Sequence, residues 1–147
     1  MKSRHRAREV ALQILYGYDV SIRTQGVTPP TGIALAEDLK RHFEHFQVQP
    51  QLREFSAELV AGTLREMERL DLLLEKHAVN WKITRMGLID RNLLRMAMYE
   101  LLHFADIPSS VTIDEAVELA KAFGTAETPA FINGILDSVK PDRTPAE

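Results

Sequence analysis

The stretch LIDRNLLRMAMYELLHFA at residues 88–105 decides the fold of this chain. It is apolar around much of a helical circumference, which is typical of a helix packed on nearly all sides. We therefore predict a central buried helix over residues 88–104, which Pro108 stops. Apolar spacing is helical almost everywhere else, and no run alternates convincingly with a period of two. The sequence thus predicts an all-α fold of about seven helices.

Four helices are predicted before the central one. The first carries a single apolar face, and residues 23–32, with two glycines and two prolines, form a loop after it. The second covers residues 33–46 and ends before Pro50, and shorter stripes mark the third and fourth. The stripes of the first, third and fourth helices are, in order, Ala7, Val10, Ala11, Ile14, Leu15 and Tyr18; Leu52, Phe55, Leu59 and Met67; and Leu70, Leu73, Leu74 and His77.

Two helices follow the central one, and their ends carry capping signals. Thr112 with Glu115 has the spacing of a capping box, although Asp114 could cap the sixth helix instead. Gly124 suits a left-handed terminus of that helix. In the pair Thr128-Pro129, a capping hydroxyl precedes a proline at the first position of the seventh helix. The predicted core positions of the two helices are Ile113, Ala116, Ala120 and Phe123, and Ile132, Ile135, Leu136 and Val139.

Bulk composition is that of an ordinary globular protein. The chain has 147 residues, 45% of them apolar and 27% charged, and it contains no cysteine. We predict a single helical domain over residues 1–140, with subdomains of about 1–69 and 70–140 and a disordered tail over 141–147. No apolar run approaches the roughly 20 residues that span a membrane. The charged N-terminus has no signal-peptide apolar stretch, so we expect a cytoplasmic protein without membrane contact.

Enzyme motifs are missing from the sequence. It has no glycine loop for phosphate, no Gly-x-Ser-x-Gly and no paired nucleophile and base. His42 and His45 lie three residues apart and could seat a metal, but no further ligands follow at a fitting spacing. His77 lies on an apolar stripe and is interpreted as a core residue. We predict a protein that is not an enzyme and uses no cofactor.

Charge is unevenly distributed along the chain. Residues 1–8 contain Lys2, Arg4, Arg6 and Arg8 and no acid, whereas the remaining residues carry 14 basic and 21 acidic groups. A basic patch on an acidic body indicates a localised anionic partner, of which RNA is the commonest. Cations at a helix N-terminus also oppose the helix dipole, and such a local violation often marks a functional site.

The side of the first helix opposite its apolar stripe is basic and aromatic. At 100° per residue it carries Lys2, His5, Arg6, Gln13 and Tyr16. An exposed aromatic ring beside cations can stack on an unpaired base. The alternative is a frayed, solvated N-terminus, with Tyr16 in a contact to a neighbouring element.

Four motifs occur in order: SRHRAREVALQILY at 3–16, the stretch at 88–105, TIDEAVELAKAFG at 112–124 and FING at 131–134. Together they resemble the NusB family of bacterial transcription antitermination factors. No motif matches between about residues 22 and 51. In that family an arginine-rich segment opens the first helix. The matching positions here are Arg4, Arg6, Arg8, Glu9, Gln13 and Tyr16.

The resemblance implies an all-helical fold of two three-helix-type subdomains. It also implies binding of the single-stranded boxA element of leader and ribosomal RNA, jointly with the ribosomal protein NusE. The heterodimer would join the elongating RNA polymerase with other Nus factors and suppress termination in ribosomal RNA operons. The basic run departs from the family pattern in having Ser3 and His5 among its arginines, so RNA affinity is expected to be weaker or more dependent on pH, because a histidine, unlike an arginine, changes charge near physiological pH.

Two sets of site residues follow from the residues and the resemblance together. The RNA-binding set is Lys2, Arg4, His5, Arg6, Arg8, Gln13, Tyr16 and Phe131. The NusE-binding set consists of the acids Asp90, Glu100 and Glu127, since the family's partner contact lies around the helix that begins near Asp90. Asp90 could instead be a solvated acid that favours the start of that helix.

One alternative function stays open at this point. The chain could be a helical protein-binding adaptor without direct RNA contact, its basic end docking on an acidic partner. It could also self-associate, as a homodimer that covers the RNA-binding face.

Overall fold

A computed structural model describes residues 2–78 and 86–143, without the side chains of Lys2, Ser3 and Asp142. The described residues form seven α-helices and no strand, which confirms the all-α prediction. The helices are α1 Lys2–Gln25, α2 Gly32–His45, α3 Pro50–Arg65, α4 Met67–His77, α5 Leu88–His103, α6 Ser109–Phe123 and α7 Thr128–Val139. They divide into two compact units, Met1–Arg65 and Glu66–Glu147. Within the described residues, no helix is both long and apolar enough to span a membrane.

The first unit is built by α1 packing along α3, with α2 also contacting α3. The predicted apolar face of α1 is buried from Ala7 to Leu15. The hydroxyl of Ser56 on α3 donates to the carbonyl oxygen of Ala7 at 2.9 Å. This bond and the apolar stripe fix one side of α1 against the unit, so the opposite side is left for other contacts.

The second unit is organised around α5, as the sequence predicted. Residues 91–101 are all buried, and α4, α6 and α7 pack against this helix. Its buried polar groups have partners inside the unit. The guanidinium of Arg95 donates through Nε and Nη2 to both carboxylate oxygens of Asp71, at 2.7 and 2.8 Å. A bidentate pair of this kind satisfies a charge that burial would otherwise strongly disfavour.

Several predicted helix ends are wrong. α1 runs past residue 23, because the break comes at Gly26, which takes a positive φ of 67° and donates to the Ile22 carbonyl. Met67 begins α4 rather than continuing α3. α5 ends at His103, well before Pro108, which instead precedes the first residue of α6.

The capping predictions around α6 and α7 are also wrong. Thr112 lies inside α6, and its buried hydroxyl donates to Glu100 at 2.6 Å, so it caps nothing. Gly124 has a φ of −95° and is needed for another reason: a Cβ there would lie 2.6 Å from the Cβ of Thr128. Thr128 is itself the first residue of α7, preceded by Glu127 at the capping position. Tertiary contacts, rather than helix capping, therefore explain why Thr112 and Gly124 occupy these positions.

Most predicted core positions of α6 and α7 are buried, but Phe123 is half-exposed.

The predicted disordered tail does not hold for its first residues. Residues 140–142 form a 3-10 turn, and Arg143 donates to the Phe104 carbonyl at 2.7 Å and to that of Ile107. Residues 144–147 lie outside the described residues.

Candidate nucleic-acid interface

The basic first turn of α1 contains no acidic residue, as the sequence indicated. Arg4 is exposed, while the side chain of Arg8, one turn later, is buried at 3% exposure. Both guanidinium groups lie over the ring of Phe55 on α3, at 4.7 Å for Arg4 and 5.1 Å for Arg8. The negative face of an aromatic ring attracts cations, so Phe55 holds both arginines against the unit. Sequence analysis placed Phe55 on an apolar stripe and missed this role.

Arg8 therefore differs from the surface cation that the sequence predicted. A guanidinium that is almost wholly buried over a ring cannot reach a phosphate without leaving its site. Arg4 keeps one face on Phe55 and the other toward solvent. Of these two predicted RNA-binding residues, only Arg4 is placed for direct contact.

Arg6 links the start of α1 to the turn after α2. Its Nη2 donates to the carbonyl oxygen of Phe46 at 2.9 Å, and its Nη1 pairs with Glu9. The side chain is still 42% exposed. Glu9 offsets part of its charge, so Arg6 offers a weaker positive field than an isolated arginine.

Three further predicted residues extend along α1. His5 is half-buried, and Tyr16 is exposed at 37%. Gln13 is half-buried, and its Oε1 has no hydrogen-bond partner among the described residues. A buried acceptor of this kind costs stability until a donor reaches it. Arg4, Arg6 and Tyr16 thus each keep part of their side chain accessible to solvent, although Arg4 also contacts Phe55 of α3.

The other predicted site residues lie in the second unit. Asp90, Glu127 and Phe131 share one cavity of about 230 Å³, which Met86, Gly87, Thr125 and Thr128 also line. The sequence assigned two of the three to a protein partner and one to RNA, and it did not anticipate their common cavity. Thr128 donates to Asp90 at 3.1 Å and accepts from the Thr125 amide at 3.0 Å, so these threonines orient the acid.

Glu100 is not at this surface. It lies in the middle of α5 with 2% exposure and accepts the hydroxyl hydrogen of Thr112. A carboxylate in this position cannot dock a partner protein without disrupting the core of the unit. Its place in the partner-binding set is therefore contradicted, and it belongs with the buried, satisfied polar groups of α5.

The predicted histidine pair takes part in contacts inside the first unit. Nε2 of His42 lies 3.4 Å from a carboxylate oxygen of Asp38, and His45 meets the ring of Phe46 edge-on. No group of three or more histidine or acidic side chains that could hold a metal ion occurs among the residues the structure describes.

The NusB family model matches residues 5–141 of the chain. The protein belongs to the NusB family. The match includes every predicted site residue except Lys2 and Arg4, which lie before it. The family resemblance inferred from four motifs is therefore confirmed.

Relatives match over almost the whole chain. The transcription antitermination protein NusB of Symbiobacterium thermophilum is 41% identical, covering 93% of this chain and 88% of its own length. That of Geotalea uraniireducens is 44% identical, covering 95% and 94%. Among solved structures, T. maritima NusB superposes with a TM-score of 0.81 at 30% identity, over 97% of this chain and 93% of that one. Antitermination factor NusB in a complex with NusE and double-stranded RNA gives 0.79 at 26% identity, over 97% and 98%.

Proposed function

We propose that this NusB-family protein is an RNA-binding transcription antitermination factor. It binds boxA-type single-stranded RNA together with the ribosomal protein NusE, and it acts in the elongating RNA polymerase complex with other Nus factors. The observation that carries the proposal is the exposed basic and aromatic face of α1 in a chain that matches NusB antitermination proteins over nearly its whole length. The protein acts by binding rather than catalysis, in the bacterial cytoplasm where ribosomal RNA is transcribed.

The RNA-binding face consists of Arg4, His5, Arg6 and Tyr16, with Lys2 preceding them. Arginines bind phosphate oxygens through several donors at once. The exposed ring of Tyr16 provides a stacking platform for an unpaired base. Phe55 positions this face from below, since its ring lies within 5.1 Å of the guanidinium carbons of Arg4 and Arg8.

The NusE-binding surface lies around the cavity of the second unit. Asp90 and Glu127 place two acids at its lining, and a basic ribosomal protein offers the complementary charge. Phe131 lines the same cavity and offers a ring to an RNA base. Glu100 has no part in the proposed surface because it is buried.

The test is a titration of labelled boxA-type RNA with the protein, with and without NusE, against a scrambled RNA of equal length. We expect preference for the boxA sequence and tighter binding when NusE is present. Glu127→Lys should reduce the gain from NusE about tenfold and leave RNA-alone binding unchanged or slightly tighter. Asp137→Lys, at an exposed acid on α7 away from the cavity, is the matched control. Equal affinity for both RNAs, with and without NusE, would overturn the proposed function.

A further inference from the structure

A second recess in the Glu66–Glu147 unit combines leucines with two cations and shares no residue with the proposed binding surfaces. It is a groove of about 400 Å³ between α4 and the end of α5, lined by Arg69, Leu72, Leu73, Lys76 and Leu102. Leu72, in the middle of α4, is 69% exposed, and Leu73 and Leu102 beside it are half-buried. The three leucines form one apolar patch, and a contiguous apolar patch at the surface, unlike a single exposed leucine, can mark an interaction site.

The lining has a simple order along α4. Arg69, Leu72, Leu73 and Lys76 follow i, i+3, i+4 and i+7, so they form one stripe with a cation at each end. The two cations lie about 10 Å apart along the helix axis, given a rise of about 1.5 Å per residue. Arg69 also pairs with Glu66 at 2.8 Å, and its side chain is nevertheless 66% exposed. The groove therefore offers apolar contact between two accessible positive ends.

A second copy of this chain does not fit the groove well. In an antiparallel pair of α4 helices centred on Leu72 and Leu73, Arg69 of one copy would face Lys76 of the other. In a parallel pair, each cation would face its own equivalent. Both arrangements bring like charges together, which disfavours self-association through this surface.

We propose that this groove docks a helical segment of a partner protein that presents leucine-type side chains between two acids. Acids seven residues apart on the partner helix match the spacing of Arg69 and Lys76. The apolar side chains between them cover Leu72, Leu73 and Leu102. The lining of this surface shares no residue with the RNA-binding face of α1 or with the cavity of Asp90 and Glu127.

The probe is a synthetic 15-residue helical peptide with Glu at positions i and i+7 and Leu at i+3 and i+4. A matched peptide carries Lys in place of both Glu residues. Each is titrated into the full-length ¹⁵N-labelled protein, followed by amide chemical shifts at low ionic strength. The acidic peptide should bind about tenfold more tightly than the lysine peptide and should shift the amides of α4 and Leu102.

Variants assign the binding to the groove. Leu72→Gln keeps a good helix former and should weaken the acidic peptide about tenfold. Val111→Gln removes an exposed apolar residue of α6 outside the groove and should change nothing. Lys76→Glu should lower the preference for the acidic peptide, because one attractive pair becomes repulsive.

Three outcomes would overturn the proposal. They are equal affinity for the two peptides, unchanged binding by Leu72→Gln, and shifts confined to other helices. Shifts of the same amides by single-stranded RNA would assign the groove to RNA and overturn it as well. The boxA titration uses other residues, so failure here leaves the proposed function intact.

Discussion

Charged residues play opposite parts in α1 and α5. On α5, Arg95 and Glu100 are buried, and each has a partner within its unit, Asp71 or Thr112. At the start of α1, Arg4 is exposed against the preference of the helix dipole. Burial and partners, rather than residue type, therefore separate charges that stabilise the fold from charges available to a ligand.

The largest effect is expected from the apolar core that surrounds the buried charges. Leu101→Ala on α5 removes a fully buried side chain and should lower the free energy of unfolding by about 2–5 kcal/mol. Urea denaturation followed by circular dichroism measures this loss. A loss below about 0.5 kcal/mol, the size usual at surface positions, would contradict the central place given to α5.

A smaller loss is expected from breaking the main ion pair of α5. Asp71→Asn removes the carboxylate that Arg95 binds through two hydrogen bonds and should cost about 1.5–3 kcal/mol. The same denaturation experiment applies, with Glu75→Gln on an exposed part of α4 as the matched control. If both variants have the same free energy of unfolding, the Arg95–Asp71 pair contributes no more to stability than an exposed surface charge.

Tyr16→Ala tests the opposite side of the comparison. The loss of a stacking ring should weaken boxA binding by about 1–3 kcal/mol with little change in salt dependence, because stacking displaces no condensed ions. Stability should stay within about 0.5 kcal/mol, since the side chain is exposed. Unchanged RNA affinity would remove Tyr16 from the proposed face.

Glu66 is neither as buried as the charges of α5 nor as exposed as Arg4, and its contribution to stability should depend on pH. Burial raises the pKa of its carboxyl, but the hydrogen bonds and charges of His103 and Arg69 outweigh this and hold the pKa below its usual value. A depressed pKa stabilises the fold above the pKa of the unfolded chain, and this stability is lost as pH falls through the folded pKa.

Glu66→Gln should therefore cost about 1 kcal/mol at neutral pH. The difference from the natural protein should shrink as the pH falls below about 4. The measurement is the free energy of unfolding of both proteins from about pH 3 to about pH 7, a range that includes the ordinary pKa of a glutamate. Glu68→Gln, at an exposed acid in the first turn of α4, which Glu66 precedes, should show no such trend, and a pH-independent gap for Glu66→Gln would contradict the assignment.

Helical periodicity predicted much of this fold because most helices bury one face, while α5 is apolar and buried on nearly all sides. The seven helices and the burial of α5 follow from apolar spacing alone. Helix ends were less predictable. Thr112 is required by its hydrogen bond to Glu100 on another helix, and Gly124 by its close approach to the side chain of Thr128. Local capping rules do not contain such contacts.

The candidate site was predictable in composition but not in exposure. The sequence grouped Arg4 with Arg8, and nothing in local spacing shows that Phe55 covers the second more than the first. Glu100 was likewise predicted to bind a partner, although its carboxylate accepts a hydrogen bond from Thr112 inside the second unit. Charge patterns locate a binding segment, while tertiary packing selects the residues that a ligand reaches.

The salt dependence of boxA affinity for Arg4→Ala and Arg8→Ala tests directly whether only the exposed arginine of the basic turn contacts RNA. The slope of log affinity against log salt should flatten by about 0.7 for Arg4→Ala, because one phosphate contact is lost, at little cost in stability. Arg8→Ala should leave the slope nearly unchanged and lower the unfolding free energy, since its side chain is buried over Phe55. Equal slopes for the natural protein and Arg4→Ala, or a flattened slope for Arg8→Ala alone, would contradict the division of the basic turn into exposed and buried charges.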